Sequence, residues 1–190
     1  MDNNFKNAKV GDYIQMGSYP QNIIYDQPIK WQVIEWRVLA KENNKMLVVS
    51  KYGLESRRFD SSSNEWKNSE IRQWANNEFY NKAFNENDKK YIKSFDGDNL
   101  FLLSEEEAEK YFANDESRKC KATEYAIKQG ADVADNGYSY WWLRSLITNS
   151  SYSIYCVDVD GDIQDDRIYH DSRVFRPALW IELKKNSVIG

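Results

Sequence analysis

The chain has 190 residues, 41% of them hydrophobic, 15% aromatic and 29% charged, with a formal net charge of −4. That length bounds it to one domain, or one with a small appendage, and it is read as a single domain over residues 1–190. The acidic balance argues against nucleic acid as the partner, since phosphate binding needs a basic face, and no apolar run approaches the roughly 20 residues of a membrane span.

The N-terminal stretch MDNNFKNAKVGDYIQMGSYPQ has no apolar h-region, so no secretory signal is expected. The compartment stays open, and display on a cell surface or virion is compatible with it. VGDYIQMGSYPQ reads as a first strand running into a turn at Tyr19-Pro20. A β-hairpin is expected next, from IKWQVIEW to MLVVSKYGL, with its turn in KENNK. The period then changes. Ile71, Trp74, Ala75 and Phe79 recur at helical spacing, with Asn68 or Ser69 as the cap. LFLLSEEEAEKYFAN predicts a short strand and then a helix, opened by a capping box between Ser104 and Glu107. CKATEYAIKQGA predicts a third helix, stopped by Gly130.

The last third begins with SYWWLRS and ends with FRPALWIEL, both read as buried strands. In an extended strand the adjacent Trp141 and Trp142 face opposite ways, and both, with Trp180, are expected in the core. Arg144 and Arg176 sit in apolar sequence and are expected to serve as structural partners of acids or backbone carbonyls. Between the ends, Tyr155, Val157 and Val159 alternate with Cys156, Asp158 and Asp160, and Asp160-Gly161 reads as a hairpin turn. The fold class is therefore α+β: a mixed sheet scaffold, two or three helices and a C-terminal insert rich in loops and hairpins.

Chemistry is sparse. The two cysteines, Cys120 and Cys156, lack metal spacing and are expected as buried thiols, one disulfide being the alternative. The lone histidine, His170, has no recognisable nucleophile context and reads as a solvated loop residue rather than a general base. DVDGDIQDD suggests calcium. An EF-hand register set by Gly161, however, puts Cys156 at the first ligand position and Arg167 at the twelfth. A looser site from Asp158, Asp160, Asp162, Asp165 and Asp166 is the remaining calcium alternative. No metal or cofactor is expected, and no motif indicates an enzyme.

The ordered blocks VGDYIQMGSYPQ, IKWQVIEW, WKNSEIRQWANNEFYNKAF, LFLLSEEEAEKYF, YWWLRS and FRPALWIEL resemble a bacterial and phage family described as a domain of unknown function. The WWLRS…RPALW pair is its most specific mark. The resemblance implies a C-type-lectin-like fold, shared with variable proteins of diversity-generating retroelements, in which the segment between the framing strands binds ligand. Where that family has SPG after WLR this chain has Ser145-Leu146-Ile147, and Val174-Phe175 stand before Arg176-Pro177. The sugar-and-calcium motifs of lectins are absent, as is the cysteine pair of the related formylglycine-generating enzymes.

Retroelements mutate adenines, and an Asn codon mutated at its two adenines cannot become Lys, Glu, Gln, Trp or Met. From Ser145 to Leu179 there is no Lys, Glu, Trp or Met, and Gln164 is the one unreachable residue. An ordinary polar loop would also favour Asn, Asp, Ser and Tyr, but it does not explain the loss of Lys and Glu. The expected function is non-catalytic binding of a protein or cell-surface ligand by a display segment over about residues 145–175. Its expected contacts are Asn149, Tyr152, Tyr155, Asp158, Asp162, Asp165, Asp166, Tyr169, His170, Asp171 and Ser172. Tyr155 is the weakest member, because strand period turns it inward. The alternatives are a calcium-dependent glycan-binding lectin and an enzyme of the formylglycine-generating type.

Overall fold

The computed structural model describes residues 5–183. Its first sheet is antiparallel throughout, in the order β1 (Tyr13–Pro20), β2 (Trp31–Glu42), β3 (Lys45–Ser50), β10 (Ala178–Glu182), β5 (Ile92–Lys93). The expected turn at Tyr19-Pro20 is corrected: both residues belong to β1 and pair with Gln32 and Trp31. β1 is an edge strand, where proline's missing N–H removes no essential ladder bond. β2 and β3 form the expected hairpin. It closes at Asn43 and Asn44, with Asn43 at φ 51, a conformation asparagine tolerates.

The helical segment begins with a 3₁₀ turn at Trp66–Asn68. It continues through α1 (Glu70–Trp74), a π turn at Ala75–Phe79 and α2 (Tyr80–Ala83). Of the two possible caps Ser69 is used, accepting from the Arg72 N–H. Ile71, Ala75 and Phe79 are fully buried, as helical spacing requires. Two one-turn helices were not anticipated, α3 (Glu86–Lys89) and α5 (Asp115–Arg118); each is opened by an Asn capping box. α4 (Glu105–Tyr111) carries the Ser104–Glu107 box, and α6 (Glu124–Lys128) ends before Gly130 at φ 107. The strand expected in LFLL is instead a buried extended stretch, with one bridge, from Phe101 to Ala178.

The second sheet has the order β4 (Glu55–Ser56), β9 (Val174–Phe175), β6 (Trp141–Leu146), β7 (Ser153–Val157), β8 (Ile163–Arg167). Only β6 and β9 run parallel. The insert thus contributes three strands, β7 and β8 on one side of β6 and β9 on the other, and its apolar residues Ile154, Cys156, Val157, Ile168, Val174 and Phe175 are buried. Val159 lies in the turn and not on the strand, because β7 stops at Val157.

Both faces of this sheet are covered. Trp142, Ile154, Cys156 and Phe175 join one core with Ile34, Trp36 and Val48 of the first sheet. Trp141, Leu143, Val157 and Val174 join a second core with Leu47, Val49, Trp180 and Phe112. Each fully buried tryptophan contributes roughly 3 kcal/mol. The chain passes from β9 to β10, and so from one sheet to the other, at Arg176-Pro177. Arg176 is 3% exposed and has no acidic partner among the described residues. Its Nε donates to Ser50 O at 3.1 Å and its Nη1 to Arg118 O at 2.9 Å, and the guanidinium lies 4.6 Å from the Trp141 ring centroid. The two signature blocks therefore meet at this stack. Arg144 pairs bidentately with Glu107, Nη1–Oε2 at 2.5 Å and Nη2–Oε1 at 2.9 Å. Glu107 thereby serves the helix cap and the WWLRS strand together.

Candidate binding surface

The insert enters the surface at residues 147–152. Asn64, 7% exposed, fixes this loop by donating from Nδ2 to Ile147 O, Ser150 O and Ser153 O at 3.2, 2.7 and 2.9 Å. Asp60 in turn holds the Asn64 loop, accepting from the N–H groups of Ser62, Ser63 and Glu70. Burial opposes charge on Asp60, but those amides hold its carboxyl below the usual range. Between residues 63–65 and 146–151 lies a polar cleft of about 500 Å³. Asn149 is exposed on its wall, and Tyr152 stands just beyond it, 54% exposed.

The β7–β8 hairpin separates the candidate residues. At its closed end the Asp158 carboxylate accepts from the N–H groups of Asp160 and Asp162, at 2.9 and 3.0 Å. Asp158 thus caps the turn through its carboxylate. Gly161 is at φ 92, and a Cβ there would meet Asp115 O at 1.9 Å; Arg118 Nε donates to Gly161 O at 2.8 Å. The tip is therefore docked on α5. Asp162 is exposed beside Asp115 and Asp158, whose charges raise its pKa.

At the open end the chain leaves β8 and crosses back to β9. Ile168 is buried, its N–H bonded to Tyr152 O and its carbonyl to the N–H groups of Phe59 and Asp60. Tyr169 is 52% exposed and Asp171 is exposed. His170 Nδ1 lies 2.7 Å from Asp166 Oδ1, while Asp166 Oδ2 accepts from Arg173 Nε at 2.5 Å. Asp166 is thus half-buried in an ion pair. Ser172 is half-buried, its carbonyl bonded to the Asp132 N–H and its hydroxyl to Arg173. Tyr155 packs against the second core, so its inward orientation holds, and its partner Asp165 is exposed on the β8 edge.

The structure therefore gathers Asn149, Tyr152, Tyr169, His170 and Asp171 around the open end, beside the 147–152 loop. Asp158 and Asp162 lie at the other end of five-residue strands, about 15 Å away at strand rise. Sequence reading missed Asn64 and Arg173, which order this end. Asn64 acts over more than 80 residues of separation, and no local pattern carries that signal. Arg173 ties β8 to Asp132 and stacks 4.2 Å from the Tyr140 centroid.

Both cysteines are free and buried; burial, and then Asp166, push the Cys156 thiol up, away from thiolate reactivity. Among the described residues no serine or cysteine bonds to the His170 ring, and no group of three or more His, Cys, Asp or Glu side chains is placed to hold a metal ion. No described helix is long and apolar enough to cross a membrane.

A mixed α+β chain with this polar, tyrosine-bearing end has a match among protein families. Residues 43–183 match the family model of a domain of unknown function, DUF6273. The match spans well over half of the sequence, and the chain belongs to that family. No curated protein and no solved structure matches the chain.

Proposed function

We propose that this chain is a non-catalytic ligand-binding domain of C-type-lectin type that recognises a protein or cell-surface ligand through the open end of the β7–β8 hairpin. One observation carries the reading. Most of the insert's apolar side chains are buried, Leu146 at the end of β6 being exposed, whereas Asn149, Tyr152, Asp165, Tyr169 and Asp171 turn their side chains to solvent. Tyrosine offers a large, rigid contact at low entropic cost, and Asn and Asp add adaptable hydrogen bonds, the mixture found in antibody paratopes. The acids favour a basic or hydroxyl-rich partner.

The residue content of the insert supports a diversified version of this reading, in which adenine-directed mutation varies the exposed positions. Sequencing the flanking DNA tests it. A near-identical template repeat, differing only at adenines and next to a reverse transcriptase gene, is expected; a locus without one leaves a fixed binding surface. The binding claim itself is tested by screening the chain on protein and glycan arrays, beside a variant carrying Tyr152→Ser and Tyr169→Ser. Signals that vanish in the variant support it, and signals that the variant retains place binding elsewhere. A calcium-dependent lectin instead predicts a rise in Tm on adding calcium that a chelator reverses.

A further inference from the structure

His170, the one histidine of the chain, presents its two ring nitrogens to different surroundings. Nδ1 is sealed from solvent and lies 2.7 Å from Asp166 Oδ1, while the side chain as a whole is 40% exposed. Among the described residues no hydrogen bond reaches Nε2, which lies on the open part of the ring. As the ion-pair partner of Arg173, Asp166 is a carboxylate and can only accept. Its Oδ1 also takes the Arg167 N–H at 2.7 Å, and its Oδ2 takes Arg173 Nε at 2.5 Å. A bare Nδ1 would set its lone pair against that oxygen in a place water does not reach, leaving a buried acceptor without a donor. A proton on Nδ1 removes the conflict and makes the hydrogen bond. A neutral imidazole carries one such proton, so Nε2 is left bare.

The surroundings keep this arrangement in place. Arg173, which holds the carboxylate, is itself braced by Asp132 and by the Tyr140 ring. The Tyr169 ring packs edge-on to the imidazole, 5.4 Å between centroids. The His170 N–H bonds to Arg167 O, and Ser56 Oγ donates to Asp171 O at 2.8 Å. The tautomer then decides what the open end offers, namely an acceptor in place of a donor. Charge narrows the ligand further. Residues 145–179 carry six aspartates and three arginines, and two of those arginines, Arg173 and Arg176, are engaged within the fold. A cationic N–H donor is therefore favoured over a neutral hydroxyl. We propose that Asp166 fixes His170 as the Nδ1–H tautomer, and that Nε2 accepts an N–H from a basic side chain of a protein ligand. His170 is then a specificity-determining residue and Asp166 a positioning residue. The ligand half of this inference rests on the ligand-binding reading; the tautomer half does not.

Two measurements test it. The first is nitrogen NMR of the isotope-labelled full chain at about pH 9, above the ordinary imidazole range. A lone histidine gives a single set of ring signals, and a protonated Nδ1 with a bare Nε2 is expected. The opposite tautomer, or a mixture of the two, overturns the inference whatever the chain binds. The second is the affinity of an oligo-arginine peptide for the wild type, His170→Gln and His170→Phe. Gln returns a side-chain acceptor, and Phe keeps a ring without one. Binding should be close to wild type in His170→Gln and about ten-fold weaker in His170→Phe. Equal binding by all three, or a wild type that does not bind the peptide, overturns the role given to His170. The ligand-binding reading fails separately, on array signals that survive Tyr152→Ser and Tyr169→Ser.

Discussion

At the scale of single residues, several positions hold the insert in place, and each has a measurable cost. Gly161→Ala should lower stability by about 2 kcal/mol or more, since it combines a left-handed φ with a collision against Asp115; urea unfolding reads this directly. Glu55 gives a test against pH. It is half-buried, accepts from Tyr19 Oη at 2.6 Å, and burial raises its pKa despite that bond. A raised carboxyl pKa contributes stability below the ordinary glutamate range, and that contribution is lost as pH rises through the folded-state value. Glu55→Gln should therefore match the wild type at about pH 4 and exceed it in Tm at about pH 8. A variant less stable than wild type at pH 8 would contradict this.

At the scale of elements, two anchors join segments distant in sequence. Glu107 closes the α4 cap and pairs with Arg144 of β6. Ser104→Ala should cost about 1 kcal/mol, and Glu107→Ala about 2–3 kcal/mol because it also strands a half-buried guanidinium. Asn64 does the same for the 147–152 loop. Asn64→Ala should cost about 2 kcal/mol and speed amide exchange locally at residues 147–153, which hydrogen-exchange mass spectrometry resolves. Much of this level was legible. The β2–β3 hairpin, the Ser104 box and the Gly130 stop follow from local residue chemistry. The opposed, buried Trp141 and Trp142 follow from strand period. What escaped was either too short for a period, as with α3 and α5, or set by distant partners. Asp158 and Asp166 read as free acids because the sequence does not reveal that turn amides and Arg173 occupy them.

At the scale of the whole molecule, the two sheets share both cores, and the signature blocks WWLRS and RPALW meet at the Arg176–Trp141 stack. This arrangement separates a buried framework from the side chains at the open end of the β7–β8 hairpin. The separation is the central claim, because a surface that carries none of the fold's stability is free to be specialised or varied. The most direct measurement is the thermal stability of one variant in which Asn149, Tyr152, Asp165, Tyr169 and Asp171 are all replaced by Ser. Exposed substitutions each change stability by no more than about 0.5 kcal/mol. The variant should therefore fold with a native circular dichroism spectrum and a Tm within about 10 °C of the wild type. An unfolded variant, or a fall well beyond that range, would show that these side chains hold the structure and would contradict the account.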